Sequence, residues 1–318
     1  MLFSQSEKEF IEKVKPELTK RFKSGEKIAV KLHMGEHGNK TYLKPEFVKQ
    51  VISILIENGC MPFLFDSPAM YQGGRDTAKK YLKTAAENGF TEESISCPII
   101  ISEESKTVKT PHLKAEVCKQ LTEADGMLVL THVKGHMCSG VGGAVKNLGM
   151  GGVSKKTKTD IHHLSWPIIV GECIKCEACV KACPVATITV GKEKIEVDYD
   201  NCWGCNVCVY VCPQKALKPK VASFDALLAE GAFAVVSSVK KAYYINVLKE
   251  IAKLCDCMAQ NGPIICDDVG YLASEDIVEI ENESVDLINK KAGKNIFLEV
   301  HRKDPYGHIK EMERLLKK

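Results

Sequence analysis

Eight cysteines between residues 173 and 212 have the spacing of metal ligands. They fall in two runs of the pattern C-x2-C-x2-C-x3-C-P: Cys173, Cys176, Cys179 and Cys183, then Cys202, Cys205, Cys208 and Cys212. In this pattern the first three thiolates of a run bind one [4Fe-4S] cluster, and the fourth binds the cluster of the other run. The spacing therefore predicts two ligand sets, which are Cys173, Cys176, Cys179 and Cys212 for one cluster and Cys202, Cys205, Cys208 and Cys183 for the other.

Two structural zinc sites are the alternative for these thiols. Zinc sites use paired C-x2-C knuckles, often with histidine, whereas each run here is a complete set of four cysteines. The pattern therefore favours two [4Fe-4S] clusters, which carry one electron at a time. Because clusters of this kind are oxygen-sensitive, we expect the protein to work in a low-oxygen setting.

The segments around the cysteine runs resemble the bacterial two-cluster ferredoxins. WPIIV (166–170) reads as a strand leading in, and ALKP (216–219) as the strand leading out. TITVGKEKIEVDYDNC (187–202) reads as a hairpin with its turn at Gly191. The resemblance implies a compact α+β unit over residues 166–221.

Composition places the chain among soluble globular proteins. Its 318 residues are 45% hydrophobic and 27% charged, and the net charge of +3 predicts no binding to nucleic acid. The first residues are charged and no apolar run has the length of a bilayer, so we expect neither an export signal nor a membrane partner. Fifteen cysteines without an export signal indicate metal binding in the cytoplasm rather than disulfides.

Strands and helices alternate on both sides of the cysteine runs. Strands are predicted at 27–36, 61–69, 127–136, 233–239 and 262–272. Helices are predicted at 44–60, 74–90, 112–126, 223–232, 242–255 and 274–293, the last with Ser274 as N-cap and Gly293 as its end. This alternation predicts an α/β fold with a largely parallel sheet and helices on both faces, built from residues 1–165 and 222–318 around the inserted ferredoxin-like unit. Two separate α/β domains flanking the unit are the alternative.

A glycine-rich stretch, THVKGHMCSGVGGAVKNLGMGGVSKK (131–156), follows one of these strands. Glycine lets backbone N–H groups approach an anion, lysine adds charge, and ligands of parallel sheets sit beyond the carboxyl ends of the strands. We therefore expect a phosphate or carboxylate to bind Gly140, Gly142, Gly143, Lys146 and Asn147. The stretch matches neither the Walker A loop nor the dinucleotide fingerprint, and a tight loop that only permits close packing is the alternative.

Polar residues also follow the other predicted strands, and a parallel sheet would bring them to one edge. They are Lys31, His33, Glu36, His37, Asp66, Arg75, His132, Lys134, His136, Asp267 and Asp268. Their convergence predicts a pocket in which His33, His132, His136 and Lys146 act in catalysis and Arg75 binds a ligand. Histidine and carboxylate there would serve as acid–base groups or metal ligands.

Two further segments have open interpretations. Cys255, Asp256, Cys257 and Cys266 read as soft metal ligands, as a redox pair, or as buried thiols at a helix end. Residues 155–163 read as a solvated linker, whose lysines could dock an acidic redox partner.

The combination of HVKGH, GVGGAVKNLGMGG, the two cysteine runs and CDC…DDVGYLASEDIVEI resembles the iron–sulfur members of domain-of-unknown-function family 362. SGVGGAVK (139–146) and FDSPAMYQGGR (65–75) are also similar to the lactate racemase family. That second resemblance implies that Lys146, Arg75 and either His132 or His136 face a phosphorylated ligand.

These patterns together predict an iron–sulfur electron-transfer protein or oxidoreductase. It would relay electrons between a redox partner protein and a small anion or phosphate-bearing ligand on the α/β body, with a further small-molecule cofactor left open. The alternatives are a non-redox racemase-like enzyme with a nickel or nucleotide-type cofactor, and a ligand-binding scaffold.

Overall fold

The computed structural model describes residues 1–317. Before the cysteine runs the chain forms β1 (Leu2–Ser4), α1 (Glu7–Arg21), β2 (Lys27–Lys31), α2 (Pro45–Glu57), β3 (Met61–Asp66), α3 (Ala78–Glu87), α4 (Glu92–Ile95), β4 (Ile99–Ile101), β5 (Ser105–Lys109), β6 (Lys114–Cys118), α5 (Lys119–Thr122), β7 (Gly126–His132), β8 (Lys134–His136), β9 (Gly140–Gly142), α6 (Ala144–Gly151) and α7 (Lys155–Leu164).

The segment with the cysteine runs contains only short elements. They are β10 (Pro167–Ile169), α8 (Ala178–Ala182), β11 (Ile188–Val190), β12 (Ile195–Val197), α9 (Val207–Tyr210) and β13 (Leu217–Pro219). The described remainder forms α10 (Phe224–Val236), β14 (Ala242–Leu248), β15 (Ile251–Ala252), β16 (Ile264–Cys266), β17 (Gly270–Ser274), α11 (Ile277–Ala292), α12 (Ile296–His301) and α13 (Gly307–Leu316).

A seven-stranded sheet organises the molecule, in the order β1-β17-β14-β7-β2-β3-β4. The five strands β14, β7, β2, β3 and β4 are parallel, and β17 runs antiparallel to both of its neighbours. The prediction of a largely parallel α/β sheet is therefore confirmed. Strands of the two parts of the chain meet where β7 pairs with β14, so residues on either side of the cysteine segment build one sheet.

Helices cover both faces of this sheet, and its central strands are therefore buried on both sides. Along β2, Ile28 and Val30 join the core that includes α1 and α2, while Ala29 joins the core that includes α6, α10 and α11. This period of two is what a strand between two layers of helices requires.

Three of the predicted elements have the wrong type. Residues 112–126 contain strand β6 and the short α5 instead of one helix, 233–239 belong mainly to helix α10, and most of 242–255 is strands β14 and β15. Residues 262–272, predicted as one strand, contain β16 and the start of β17. Helix α10 is buried on nearly every side and β14 along its whole length, so neither has the amphipathic period that distinguishes helix from strand.

The predicted linker at 155–163 is also wrong, since these residues form most of α7. Ser154 caps the helix by accepting from Thr157 N, and Lys158 and Ile161 are buried. In α11 the N-cap is Asp276, which accepts from Val278 N at 2.7 Å and Glu279 N at 3.0 Å, rather than the predicted Ser274. The predicted end at Gly293 is confirmed, where φ is +70°.

The cysteine segment leaves the α/β body after α7 and returns to it before α10 at one place. β10 pairs antiparallel with β13, which sets Pro167 opposite Pro219. The predicted hairpin is confirmed by the β11–β12 pair, with its turn closed by Gly191 N donating to Lys194 O at 2.8 Å. Asn206 ties the segment to the body, because its side chain donates to Ser165 O at 2.6 Å and accepts from Phe224 N at 2.7 Å. The division at residues 166 and 221 stays a prediction.

Candidate functional site

The first predicted set of cysteines surrounds one hollow in the cysteine segment. Cys173, Cys176, Cys179 and Cys212 line it together, among apolar side chains that include Ile195. Cys212 Sγ also accepts from Ala216 N at 3.3 Å, and hydrogen bonds to ligand sulfur are one means by which proteins tune cluster potentials.

The second predicted set is also brought together. Burial raises the pKa of the Cys208 thiol, and the neighbouring thiols of Cys205, Cys202 and Cys183 raise it further. Cys183 Sγ accepts from Thr187 N at 3.4 Å. Both sets are all-cysteine, as the four-thiolate ligation of [4Fe-4S] clusters requires, and so the residues present fit two such clusters.

No three His, Cys, Asp or Glu side chains within residues 1–317 converge on a position for a single metal ion. The thiolates of a four-iron cluster bind different iron atoms, so they stand further apart than the ligands of one ion. Among these residues there is also no helix with the length and apolarity needed to cross a bilayer.

A cavity of about 910 Å³ lies beyond the carboxyl ends of β2, β3 and β7. Residues 254–260 form one of its walls, and residues 199–203 of the cysteine segment contribute to another. Most of the predicted pocket residues line it, namely Lys31, His33, Asp66, Arg75, His132, Lys134, His136, Gly142, Gly143, Lys146 and Asn147. The parallel sheet thus gathers side chains that lie more than one hundred residues apart in the sequence.

Five predicted residues do not line the cavity: Glu36, His37, Gly140, Asp267 and Asp268. Glu36 lies behind Arg75, and exposed His37 pairs with Glu87. Gly140 has a φ of +77°, and a Cβ there would stand 2.9 Å from Lys303 O. It serves close packing, which was the alternative for the glycine-rich stretch at this position.

The N-terminus of α6, where the sequence predicts an external anion, already holds a carboxylate of this chain. Glu281 accepts from Ala144 N at 2.5 Å and from Val145 N at 3.4 Å. A Cβ on Gly143 would stand only 2.0 Å from Glu281 Oε1, so glycine is required for this contact. Any external anion must therefore use other groups of the cavity.

A buried polar network forms the floor of the cavity. Lys31 Nζ lies 3.1 Å from Asp66 Oδ1 and donates to Asn147 Oδ1 at 2.6 Å. Asn147 in turn donates to Leu130 O and Thr131 Oγ1, both at 3.0 Å. These contacts use the Asn147 side chain internally and fix it for packing rather than for direct binding of a ligand.

Lys158, which lies in the predicted linker at 155–163, also lines the cavity. It donates to Ser67 Oγ at 2.8 Å and to Pro68 O, and within residues 1–317 it has no carboxylate at ion-pair distance. Burial lowers its pKa to about 8. At neutral pH it is therefore a desolvated cation facing the cavity, and an anion would complete its coordination.

Arg75 and His132 are both held by carboxylates. Arg75 Nε lies 2.9 Å from Glu36 Oε2, and its guanidinium is buried. His132 Nδ1 contacts Asp256 Oδ2 at 2.9 Å, and its Nε2 contacts Lys249 O at 2.7 Å. Because both ring nitrogens face acceptors, His132 is not free to take a proton from a ligand, and its geometry gives it a positioning role.

Within residues 1–317, His136 and His33 each have one ring nitrogen without a hydrogen-bond partner. Ser139 Oγ donates to Val141 O at 2.7 Å, so His136 Nδ1 acts as the donor to Ser139 Oγ at 2.8 Å and Nε2 carries the lone pair. His33 has the opposite tautomer, because its Nδ1 accepts from Gly35 N at 3.0 Å and its Nε2–H has no partner in the described chain. Burial lowers the pKa of both rings well below the usual range, helped by Arg75 at His33 and by Lys146 at His136.

Lys146 pairs with Cys255, whose role the sequence leaves open. Its Nζ lies 3.0 Å from Cys255 Sγ, and Cys255 and Cys257 both line the cavity. Cys266 does not line it, and instead donates to Ile288 O at 3.6 Å. The two cysteines of the CDC sequence therefore belong to the site, and they lie in a loop rather than at a helix end.

The cavity and the cysteine segment share a wall. Tyr199, Asp200, Cys202 and Trp203 line the cavity from the segment's side. Trp203 O accepts from His162 Nδ1 of α7 at 2.9 Å, which fixes this wall against the α/β body. One cysteine of the second predicted set thus lies at the edge of the pocket that contains Lys146 and His136.

Known proteins are similar to this chain in part of its length. The pyruvate synthase subunit PorD of Methanothermobacter marburgensis is 37% identical over 68 residues, which are 21% of this chain and 80% of PorD. A ferredoxin of Rickettsia felis is 38% identical over 55 residues, which are 17% of this chain and 50% of that protein. Across the first curated relatives the chain spans between 17% and 80% of the relative's own length. Part of the chain is therefore ferredoxin-like in sequence.

One solved structure and one family model are also similar to this chain. The solved lactate racemase apoprotein of Thermoanaerobacterium thermosaccharolyticum superposes with a TM-score of 0.48 and 14% identity, covering 90% of this chain and 56% of that one. The model of the family described as Domain of unknown function (DUF362) matches residues 28–286, which is more than half of the chain, and the chain therefore belongs to this family.

Proposed function

We propose that this chain is an iron–sulfur electron-transfer protein that delivers electrons to a small anionic ligand in the 910 Å³ cavity. The observation that carries the proposal is the shared wall, where Cys202 of the second ligand set lines the same cavity as Lys146 and His136. A ligand bound there lies next to the cysteine segment, and short distances favour electron transfer.

Two [4Fe-4S] clusters would be held by the two predicted ligand sets. When bound, such clusters accept and release one electron at a time. The first set lies nearer the surface, since Cys176 is exposed and Ile174 is 53% exposed beside it. A redox partner protein would dock at this end, and the similarity to PorD and to a ferredoxin supports such a partner.

The α/β body supplies the groups that bind the ligand. Lys158 is a cation without a carboxylate partner, and His33 Nε2–H is a donor without an acceptor in the described chain. Lys31, Lys134 and Arg75 are neutralised by carboxylates of the chain itself. The surplus of positive charge therefore centres on Lys158, and this surplus favours a phosphate or carboxylate.

The ring nitrogens of His136 and His33 that have no partner within residues 1–317 would bind the ligand in complementary ways. His136 Nε2 can accept a hydrogen bond from the ligand, whereas His33 Nε2–H can donate one to it. Ser139 keeps the His136 ring in the required tautomer. These thiol-rich, oxygen-sensitive sites also suit a cytoplasmic, low-oxygen setting.

Non-denaturing mass spectrometry of the full chain, purified without oxygen, tests the proposal. We expect the mass of the chain with two four-iron clusters, and reoxidation of the dithionite-reduced protein by small phosphorylated or carboxylic acid substrates. Lys158→Met should abolish the reoxidation by anions but keep both clusters. A chain without iron, or clusters that no anion reoxidises, would refute the proposal.

A further inference from the structure

Cys255 and Cys257 are held in the cavity wall by a loop that is fixed from several sides. The side chain of Asp256, between them, contacts His132 at 2.9 Å and Lys134 at 2.7 Å. Its main-chain oxygen accepts from Glu36 N at 3.0 Å, and the oxygen of Cys257 accepts from Tyr71 OH at 3.0 Å. The two thiols therefore have a defined place in the cavity.

The two cysteines also contact each other. Met258 N donates to Cys255 O at 3.0 Å and closes a turn, and Cys257 N donates to Cys255 Sγ at 3.3 Å. Lys146 Nζ approaches the same sulfur at 3.0 Å. Cys255 thus receives donors from an ammonium and an amide, which is the environment of a thiolate.

The charges of the two cysteines differ accordingly. A hydrogen bond from the Cys257 thiol lowers the pKa of Cys255 well below its usual range, and Lys146 lowers it further against the opposing effect of burial. The same hydrogen bond raises the pKa of Cys257 well above the usual range. At neutral pH the pair is one thiolate and one thiol.

We propose that Cys255 and Cys257 form a redox-active dithiol that reduces a small acidic disulfide bound in the cavity. The second thiol indicates disulfide exchange as the reaction. A single nucleophilic cysteine needs no neighbour, whereas disulfide exchange needs a resolving thiol. Lys158, facing the same cavity, selects for an acidic ligand. This inference deepens the proposed function, from which it takes its supply of electrons.

The exchange balances as follows. The Cys255 thiolate attacks one sulfur of the ligand, a new S–S bond forms, the ligand's own S–S bond breaks, and one half leaves as a thiolate. That thiolate takes the proton of Cys257. The Cys257 thiolate then attacks Cys255 Sγ and releases the second half as a thiolate. The ligand gains two electrons, the protein gains one disulfide, and two electrons with one proton from the redox partner restore the dithiol.

Oxidised glutathione, a small acidic disulfide, is the probe for a test on the full chain purified without oxygen. After an acid quench, peptide mass spectrometry should find Cys255 and Cys257 joined in the native protein. Cys257→Ser should instead retain one glutathione on Cys255, and Cys255→Ser should retain none. Cys266→Ser, at a buried thiol outside the cavity, is the matched control and should behave as the native protein.

The preference of the cavity for an acidic disulfide is tested by comparing reaction rates. We expect oxidised glutathione to react about tenfold faster than neutral hydroxyethyl disulfide, since a charged hydrogen bond discriminates by at least that factor. Lys158→Met should remove this difference. Free thiols in the native protein, or no mixed disulfide in a folded Cys257→Ser protein, would overturn the proposal, and equal rates for the two disulfides would overturn its acidic ligand.

Iron content and visible absorption, measured on the same samples, separate this inference from the proposed function. Exchange at Cys255 in a chain without clusters would support the dithiol and refute the electron-transfer proposal. Bound clusters in a protein whose Cys255 and Cys257 do not react would refute the dithiol and support the electron-transfer proposal.

Discussion

Replacing Lys146 by methionine tests how the thiolate of Cys255 is stabilised. The substitution keeps the length of the side chain but removes the ammonium that lies 3.0 Å from Cys255 Sγ. Hydrogen bonds to charged groups contribute about 1.5–3 kcal/mol, and this one is shielded from water because Cys255 is only 5% exposed. The pKa of Cys255 should therefore rise, and below it the thiolate fraction should fall by about 10- to 150-fold.

The assay is the rate of alkylation of Cys255 by iodoacetamide, followed by peptide mass spectrometry over a range of pH. In the native protein we expect Cys255 to react even at acidic pH. In Lys146→Met the reaction should be slower there but faster at high pH, because a more basic thiolate is the better nucleophile. The two pH profiles should therefore cross.

Lys158→Met is the matched control, since this second lysine of the cavity bonds to Ser67 and not to Cys255. In Lys158→Met the pH profile of Cys255 alkylation should have the same midpoint as in the native protein. Our reasoning is refuted if the Lys146→Met profile superimposes on the native one, or if it is lower by a constant factor at every pH. Either result would mean that Lys146 does not set the charge of the sulfur.

Three further predictions concern charge, capping and the clusters. The pKa of Lys158 is about 8 in the folded chain but ordinary when unfolded, so the unfolded chain binds more protons between these values; thermal stability should rise with pH across that interval, and less so in Lys158→Met. Glu281→Gln should lower Tm by about 3–5 °C, because the side-chain NH2 of the new glutamine would then face one backbone N–H of α6, and two donors cannot bond to each other. As the control, Glu299→Gln at an exposed ion pair should change Tm by about 1 °C or less. Cys202→Ala should reduce iron from about eight to about four atoms per chain, while Cys97→Ala, at a thiol outside the runs, should leave it unchanged.

Features set by neighbouring residues could be predicted from the sequence. The cysteine runs, the hairpin around Gly191 and helix α2 between Pro45 and Gly59 all depend on local chemistry or backbone geometry. Glycine at position 59 has a φ of +77°, as a helix terminator often does. Local signals of this kind do not depend on what the segment packs against.

Fully buried segments were predicted less well. Phe224–Val236 is apolar on nearly all sides as a helix, and Ala242–Leu248 is buried throughout as a strand. Because tertiary packing encloses both, the period that would reveal their type is missing. The residue pattern therefore predicts a strand where part of α10 lies and a helix where β14 lies.

In the candidate site, too, contacts between residues far apart in the sequence could not be predicted. Its polar strand ends were predicted, since a parallel sheet collects them at one edge. The contact of Lys146 with Cys255, and that of Glu281 with the start of α6, join residues more than one hundred positions apart. No spacing rule links such residues, so the occupied helix terminus and the cavity thiolate emerged only from the fold.

The pairing of β10 with β13 has an evolutionary consequence. Because Pro167 lies opposite Pro219, residues between them can change in length or sequence without displacing a strand of the main sheet. Selection can then adjust the reduction potential within the segment and ligand preference within the cavity as two nearly independent traits. Tyr199, Asp200, Cys202 and Trp203 belong to the segment and also line the cavity, and substitutions there should change the two traits together.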